Sequence, residues 1–256
     1  MPDHRTTSDL PRQVGLIAAD PTATLLFLAA HAGLDFIVLD AEQTGLTVQD
    51  CADAVQRLAG SPTEVAIRVP DLDERTLVAY ANTGAAELVL PQVRSVDQLE
   101  NAYRATRFTP AGARSRQASF SSAFGLDFTH VPRLSVLFET VEAVDDVERI
   151  AESEHFEGGW LGPADLAADL HNAGRTQPDA LKRSTERVVD ALQKRRHSVG
   201  LPGAGVAGIA AAFEQGADRV ALYWEKHLTE VIAELVMARR EGEDAFAMAS
   251  AEGSIR

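Results

Sequence analysis

The sequence predicts a (β/α)8 barrel, a closed ring of eight parallel strands in which a helix follows each strand. Eight short apolar runs recur along the 256 residues, and amphipathic stretches of helical length separate them. The runs are continuously apolar rather than alternating, which is typical of parallel strands that are buried on both faces. Eight strand and helix units in about 250 residues match the size of such a barrel, and an open doubly wound sheet is the alternative.

The predicted elements follow one another in regular order. The strands are expected at residues 14–18, 36–39, 64–69, 87–90, 134–138, 158–161, 198–201 and 219–222. The helices are expected at residues 22–31, 48–58, 72–82, 96–106, 141–151, 179–196, 206–215 and 227–240. Several helices begin at capping residues such as Thr47 and Ser95, and several end at a glycine such as Gly33 or Gly216.

The pattern predicts a single domain at residues 14–240, with a flexible N-terminus at 1–13 and a C-terminal tail at 241–256. One long interruption, residues 109–133, is rich in serine and glycine. A loop of that length within a compact domain predicts a lid or a binding loop, and a disordered linker is the alternative.

Composition excludes several classes of protein. The chain has 38 acidic and 24 basic residues, a formal charge of −14, so its field repels nucleic acid. The single cysteine, Cys51, excludes an internal disulfide and lies in a predicted helix, where we expect it to pack. No stretch approaches the roughly 18 apolar residues of a membrane span, and no apolar signal segment is present. We therefore expect a cytoplasmic protein.

Polar residues gather where the predicted strands end. The C-terminal ends of parallel strands meet at one end of a barrel, so these residues should converge. They are Asp40, Glu42 and Gln43 after the second strand, Arg68 after the third, Pro91 and Gln92 after the fourth, Glu139 after the fifth, and Gly162, Pro163, Ala164 and Asp165 after the sixth. Two carboxylates beside a guanidinium can hold a hard divalent cation and leave room for the oxygens of a 2-oxo acid. Taken singly, Glu139 and Asp165 could serve as helix caps and Arg68 as a surface ion-pair residue.

A second motif is the glycine-rich segment at residues 203–208, GAGVAG, with Glu225 about twenty residues further on. This spacing resembles a dinucleotide-binding fingerprint. The motif lies too close to the C-terminus to begin a complete Rossmann sheet, and a small-residue loop after the seventh strand suits a phosphate or carboxylate pocket equally well.

The segment FETVEAVDDVERIAESEHFEGGWLGPADLAADL, residues 138–170, resembles the signature of the HpcH/HpaI family of class II, metal-dependent pyruvate aldolases. The likeness extends to GLDFIVLDAEQT and QGADRVALYWE and covers most of residues 14–235. It implies that Glu139 and Asp165 hold Mg²⁺ or Mn²⁺, with Co²⁺ as a further candidate. It also implies that Arg68 binds the substrate and supports an enolate, and that the backbone at Gly162, Pro163 and Ala164 receives a carboxylate. A homo-oligomer, trimer or hexamer, with an exchanged C-terminal helix is expected by the same resemblance.

Three positions depart from the family pattern. Gln43 stands where the family has the histidine used for acid/base work, Asn82 stands for its aspartate partner, and Leu137 stands for a glutamine. A glutamine can orient a water or donate to an oxyanion, but it cannot accept a proton near neutral pH.

The resulting functional hypothesis is a metal-dependent carbon–carbon lyase that acts through the enolate of pyruvate or oxaloacetate. It should diverge from ordinary 4-hydroxy-2-oxo acid aldolases. Its expected catalytic residues are Arg68, Gln43, Glu42 and Asn82. The alternatives are a non-catalytic 2-oxo acid binding protein on the same scaffold and an NAD(P)-dependent oxidoreductase.

Overall fold

A computed structural model describes the backbone of residues 10–253 and the side chains of residues 10–239. Eight parallel strands close into a barrel in sequence order, and β8 is hydrogen-bonded to β1. The strands are β1 (Gln13–Ala18), β2 (Phe36–Asp40), β3 (Glu64–Arg68), β4 (Glu87–Leu90), β5 (Arg133–Phe138), β6 (Gly158–Leu161), β7 (Ser198–Pro202) and β8 (Arg219–Tyr223). The predicted (β/α)8 barrel is confirmed, and the open doubly wound sheet is not formed.

The helices surround the barrel. They are α1 (Ala23–Ala32), α2 (Val48–Arg57), α3 (Glu74–Ala81), α4 (Val96–Thr106), α5 (Val141–Asp145), α6 (Val147–Glu152), α7 (Pro163–Asn172), α8 (Ala180–Lys194), α9 (Gly208–Glu214) and α10 (Trp224–Gly253), with a short 3-10 helix at Phe120–Gly125. The periodicity analysis missed α7, which begins with Pro163 at its first position, where a fixed φ and a missing N–H carry no penalty. The predicted helix at residues 141–151 is two helices, because the backbone at Asp146 leaves helical geometry.

The two ends of the chain extend the predicted domain. β1 begins at Gln13, inside the segment expected to be flexible, and residues 1–9 lie outside the described part. The last helix, α10, starts directly after β8 and continues through residues 241–253 of the predicted tail. No helix within residues 10–253 is both long enough and apolar enough to cross a bilayer.

The core has two parts. The larger part lies between the strands and the surrounding helices, and a smaller one fills the middle of the barrel. Phe36, Val38, Ala66, Val89, Leu137, Trp160 and Ala221 form the inner part, with Ile17 packed against it. Two glycines make room for its aromatic rings. A Cβ at Gly15 would lie 2.3 Å from the ring of Phe36, and one at Gly200 would lie 2.3 Å from Trp160.

Inward-facing side chains recur at every second strand position, so each strand contributes to successive levels of the interior. On β5 the inner residues are Ser135 and Leu137, Glu139 continues the alternation just after the strand, and Leu137 belongs to the inner apolar core. The barrel is therefore polar at both ends and apolar between them. The apolar middle forms a floor beneath the end at which the predicted site residues lie.

Candidate active site

A fixed ion pair joins the ends of β2 and β3. Asp40 and Arg68 are register partners across the two strands. Arg68 donates from Nε to Asp40 Oδ1 at 2.9 Å and from Nη2 to Oδ2 at 2.5 Å. The backbone N–H of Gln43 also donates to Asp40 Oδ1, at 3.1 Å. This bidentate geometry fixes the plane of the guanidinium, which a single contact would leave free to rotate.

Glu42 lies on the other side of the same guanidinium. Its Oε2 is 3.2 Å from Arg68 Nη1. The same oxygen is buried and accepts no hydrogen bond within the described part of the chain. Burial raises the pKa of Glu42. The positive charge of Arg68 lowers this pKa, and the negative charge of Asp40 raises it further. Glu42 therefore presents a buried oxygen that faces the charge of Arg68 without accepting a hydrogen bond from a described residue.

Glu139 follows β5 and is 2% exposed. Its Oε1 accepts from the backbone N–H of Gln92 at 2.8 Å and from Gln92 Nε2 at 2.9 Å. Burial raises the pKa of Glu139 to about 7, although the hydrogen bond from the Gln92 N–H lowers it. The negative charges of Glu42 and Asp165 raise this pKa further, and the positive charge of Arg68 lowers it. The carboxylates thus repel one another, and a bound cation would relieve the repulsion.

Gln92 owes its double contact to an unusual backbone conformation. It has φ of +52°, in the left-handed region that residues other than glycine seldom occupy. Such strain persists where the surrounding structure enforces it, and it concentrates at functional sites. The sequence places Gln92 just after β4 without indicating a role, because the left-handed conformation leaves no mark in a glutamine.

The N-terminus of α7 forms another wall of the site. Gly162 donates its N–H to Phe138 O, and the first hydrogen bond of the helix runs from Leu166 to Gly162 O. The N–H groups of Ala164 and Asp165 precede that bond, so they can receive an anion. A Cβ at Gly162 would lie 2.9 Å from Glu139 Cβ, which explains a glycine at this close approach.

These walls enclose a cavity with an empty volume of about 650 Å³ that opens to solvent. Its lining comprises Ile17, Val38, Arg68, Val89, Leu137, Trp160, Leu161, Gly162, Pro163, Ala164, Asp165, Pro202 and Tyr223. Leu137, at the position where the sequence departs from a glutamine, is part of the apolar floor. The cavity combines an apolar base with a cation, a carboxylate and free backbone donors at its walls.

Asn82 and Gln43 occupy different settings. Asn82 ends α3, and its Oδ1 accepts from Arg114 Nε at 3.2 Å and from Arg114 Nη2 at 2.6 Å. Gln43 is exposed, and its backbone N–H binds Asp40. Neither side chain is among the cavity lining. The structure therefore gathers Asp40, Glu42, Arg68, Glu139, Asp165 and the 162–164 backbone, and it places Asn82 in a separate network.

That network anchors the long loop at residues 109–133. Arg114 is 1% exposed, and its Nη2 also donates to Ala81 O and to Ser121 Oγ. Burial lowers the pKa of Arg114 to about 10, and the neighbouring charge of Arg107 contributes. The first part of the loop is therefore tied to α3. A role as a lid stays a prediction.

Tyr223 is a cavity residue that the sequence analysis did not single out. It ends β8, and it follows Arg219 and Ala221 at alternate positions. Because Ala221 lies in the inner core, the alternation points Tyr223 into the barrel end. This alternation is visible in the sequence and could have identified the residue.

Two other residues that were named from the sequence, Glu225 and Cys51, have structural roles. Glu225 Oε1 accepts from the backbone N–H groups of Ala19 and Asp20 at 2.9 and 3.1 Å, so it holds the turn after β1. Cys51 is fully buried in α2, and burial raises the pKa of its thiol to about 12. A thiol with this pKa stays protonated and is a poor nucleophile.

The donor chemistry suits a divalent cation bound by few protein ligands. Within the described residues, no three Asp, Glu, His or Cys side chains converge to hold a metal ion by themselves. Mg²⁺ and similar hard cations often use one or two carboxylates and complete their coordination with water and substrate oxygens. The Glu42 oxygen that accepts no hydrogen bond from a described residue and the raised pKa of Glu139 mark an excess of negative charge at this place. The residues present therefore fit such an ion.

Known proteins share this architecture and about a quarter of the residues over most of the chain. The HpcH/HpaI aldolase/citrate lyase family profile matches residues 13–200. A 4-hydroxy-2-oxo-heptane-1,7-dioate aldolase from Salmonella paratyphi A is 28% identical over 235 residues, which cover 89% of each chain. An HpcH/HpaI aldolase/citrate lyase family protein from Burkholderia cenocepacia J2315 superimposes with a TM-score of 0.81 at 26% identity, over 90% of this chain and 95% of that chain.

A more distant structure shares the fold. It is the citrate lyase beta subunit from M. tuberculosis, complexed with oxaloacetate and magnesium. It superimposes with a TM-score of 0.56 at 18% identity, over 85% of this chain and 93% of that chain. The family contains metal-dependent aldolases and citrate lyases that act on 2-oxo acids. On the match over residues 13–200, the chain belongs to the HpcH/HpaI aldolase/citrate lyase family.

Proposed function

We propose that this protein is a metal-dependent carbon–carbon lyase that works through the enolate of a small 2-oxo acid, pyruvate or oxaloacetate. The observation that carries the proposal is the setting of Glu139, a buried carboxylate with a pKa raised to about 7 beside Glu42 and Asp165. Perturbed carboxylates of this kind next to a cavity are typical of functional sites. The cavity beside it carries Arg68 and the free N–H groups of α7.

Glu139 and Asp165 would hold the cation, Mg²⁺ or Mn²⁺, with Co²⁺ as a further candidate. The bound ion supplies Lewis-acid polarisation of a keto oxygen, worth several kcal/mol of charge stabilisation. Gln92 contributes by holding Oε1 of Glu139 with two donors, which aims the other carboxylate oxygen at the neighbouring α7. The magnesium and oxaloacetate found with the citrate lyase beta subunit support this choice of ligand chemistry.

The chain's own donors position the substrate. The carboxylate of the 2-oxo acid would bind at the N–H groups of Ala164 and Asp165, where the α7 dipole favours an anion. Arg68, held by Asp40 on the opposite side of the barrel end, would stabilise charge that develops on the enolate oxygen. Because Asp40 fixes the guanidinium before substrate arrives, little reorganisation is needed during the reaction.

Gln43 determines which reactions are favoured. Aldol cleavage needs a base for the substrate hydroxyl, and such help is worth about 10² to 10⁴ in rate. Decarboxylation of a β-keto acid forms the same enolate without removing a hydroxyl proton. We therefore expect oxaloacetate decarboxylation to exceed cleavage of 4-hydroxy-2-oxo acids, and Gln43→His to raise the latter. Equal cleavage rates in a folded Gln43→His variant would contradict a shuttle role for this position.

The test is turnover of oxaloacetate and pyruvate by metal-stripped protein with Mg²⁺, Mn²⁺ or Co²⁺ added back, followed by NMR in D₂O. We expect metal-dependent loss of oxaloacetate and deuterium in the pyruvate methyl group. Glu139→Gln should abolish both, whereas the control Glu142→Gln, an exposed residue that pairs with Arg94, should keep both. Silence of the wild type in both assays, with 2-oxo acid bound, would favour a binding protein instead.

Self-association is the second part of the proposal. α10 extends for 30 residues. Its exposed apolar residues include Leu228, Val231, Ile232, Leu235 and Met237. A second copy of the chain is the natural partner for this surface, through exchange of the helix. Light scattering should report a trimer or hexamer, and a monomer at micromolar concentration would contradict the proposal.

A further inference from the structure

Tyr223 stands at the end of the barrel, on the arc that runs from β7 through β8 to β1 and away from Glu139 and Gln92. Going round the ring from Gly162 to Arg68 by way of β5 and β4 passes Glu139 and Gln92. The other way passes Pro202 at the end of β7, Tyr223 at the end of β8 and Ile17 on β1. All three of these residues line the cavity. The proposed cation site and Tyr223 therefore flank the cavity from two sides.

The Tyr223 hydroxyl can act as a proton donor. Within the described residues it makes no hydrogen bond, and the residue is 43% exposed at the cavity wall. Burial of the phenol raises the pKa of Tyr223, and the positive charge of Arg68 lowers it. The negative charges of Asp40, Asp165 and Glu139 raise this pKa further. At neutral pH the phenol is thus protonated, which makes it a donor rather than a base.

Most of the other side-chain N–H groups that line the cavity already have partners. Arg68 directs Nε and Nη2 at Asp40 and Nη1 at Glu42. The indole Nε1–H of Trp160 points down into the barrel and donates to Glu87 at 3.2 Å. Asp165 can only accept when ionised. Among the described side chains that line the cavity, Arg68 keeps two N–H groups, which the proposed function assigns to the enolate oxygen, and Tyr223 supplies a hydroxyl donor for the oxygen of a second substrate.

We propose that Tyr223 is a catalytic residue that protonates the oxygen of a second substrate, a small neutral aldehyde, when the enolate adds to it. The inference rests on the proposed enolate function. It assigns the proton donor of a site in which Gln43 cannot exchange protons. A neutral aldehyde fits the arc of Ile17, Pro202 and Tyr223, because its cavity-lining side chains carry no cation for an anionic one.

The step balances. The methylene carbon of the enolate forms a bond to the aldehyde carbon, and the π pair of the carbonyl moves to oxygen. That oxygen takes the hydroxyl proton of Tyr223, since an alkoxide is a stronger base than a phenolate. The phenolate recovers a proton from solvent at the open mouth of the cavity, and this proton balances the methyl proton that pyruvate releases to solvent when the enolate forms. The product is a 4-hydroxy-2-oxo acid with the carbon atoms of both substrates.

The experiment compares two reactions of the metal-loaded enzyme with Mn²⁺: decarboxylation of oxaloacetate, and addition of pyruvate to propanal. Tyr223→Phe removes one hydroxyl and keeps the ring. We expect this variant to lose about 10²-fold more in kcat for addition than in kcat for decarboxylation, without a matching rise in the KM for pyruvate. The solvent isotope effect on addition should also change in the variant, which a purely structural role would not cause. Tyr103→Phe, a ring on α4 that stacks on His155, is the control and should behave as wild type.

Failure of the inference is distinguishable from failure of the proposed function. Wild-type decarboxylation with equal addition rates in wild type and Tyr223→Phe would overturn the role of Tyr223 alone. An equal loss of both reactions in the variant would also overturn it, because that result indicates a structural role. A wild type that binds Mn²⁺ but catalyses neither reaction would overturn the enolate function, and this inference with it.

Discussion

Glu87 and Glu139 are both buried glutamates of the barrel interior, and their pKa values shift in opposite directions. Glu87 begins β4 at the N-terminal end of the barrel. Its Oε2 accepts from Arg219 Nη1 at 2.6 Å, and Arg133 lies 3.7 Å away. Burial alone would raise its pKa, but the Arg219 charge, a Ser135 hydrogen bond and the Arg133 charge together lower it. At the other end, burial and neighbouring carboxylates raise the pKa of Glu139 to about 7.

The difference separates a structural charge cluster from a functional one. At the N-terminal end, the acids Glu64 and Glu87 are matched by Arg133 and Arg219, and Arg219 also stacks on Phe36 and Trp160. At the C-terminal end, carboxylates outnumber the one guanidinium in contact with them. A buried group whose charge is left unbalanced is costly unless a ligand completes it. Burial alone therefore does not identify the active site, whereas missing neutralisation does.

The largest change in stability is expected when a charge is removed from the N-terminal end of the barrel, where the charges are balanced. Arg219→Met leaves the Glu87 carboxylate buried without its main partner, and this should cost about 3–5 kcal/mol of unfolding free energy. Urea unfolding followed by circular dichroism measures it. Arg183→Met is the control, because its exposed pair with Asp179 should contribute only about 0–1 kcal/mol. Equal losses in the two variants would contradict the structural role assigned to Arg219.

Removing a charge at the C-terminal end of the barrel should instead raise the stability of the metal-free protein. Glu139→Gln removes a charge that the metal-free protein holds at a cost, so it should stabilise the metal-free fold at pH 8 by about 1–3 kcal/mol. It should also abolish the rise in melting temperature that Mn²⁺ produces in the wild type. Calorimetry with and without Mn²⁺ tests both. A destabilised metal-free variant would show that Glu139 is a structural group like Glu87.

pH dependence sharpens the contrast further. The pKa of Glu139 rises from 4.5 to about 7 on folding, so its contribution to metal-free stability is complete below pH 4.5 and is lost as pH rises to about 7. Glu87 has a lowered pKa, so its contribution is present above pH 4.5 and is lost as pH falls through the folded value. Mn²⁺ must displace the Glu139 proton, and its affinity should fall by up to about tenfold per pH unit below pH 7. Titration calorimetry between pH 5.5 and 8, within the stable range, measures this slope, and a flat profile would contradict it.

The smallest expected effect concerns a third buried charge, Arg114, which is hydrogen-bonded to Asn82 but not neutralised by it. Asn82→Asp places a carboxylate at the same two donors and should stabilise the fold by about 1 kcal/mol, because a charge-assisted pair exceeds a neutral one. Asn101→Asp, on the exposed face of α4, is the control and should change stability little. A destabilised Asn82→Asp variant would indicate that the site cannot accept a second charge.

The sequence by itself determined the barrel and most of its strand boundaries. A continuous apolar run predicts a strand such as β4 from its own residues, and the order of runs and helices implies parallel pairing. Parallel pairing also predicts that Asp40, Arg68, Glu139 and Asp165 meet at one end, because every strand of the ring points the same way. The helix α7 was not predicted although it has ten residues, as α1 and α2 do, because Pro163 obscured a start that its N1 position permits.

Only the tertiary structure decided the pKa values and the contacts of the residues at that end of the barrel. The pKa of Glu139 depends on Gln92, 47 positions earlier, and on Gln92 adopting a left-handed backbone conformation. Asn82 meets Arg114 of the long loop rather than the cavity, and Tyr223 enters the cavity because β8 closes the ring against β1. Strand and helix formation follow from patterns among neighbouring residues. Desolvation and charge pairing depend on distances between residues far apart in the chain, and these distances exist only once the barrel is closed.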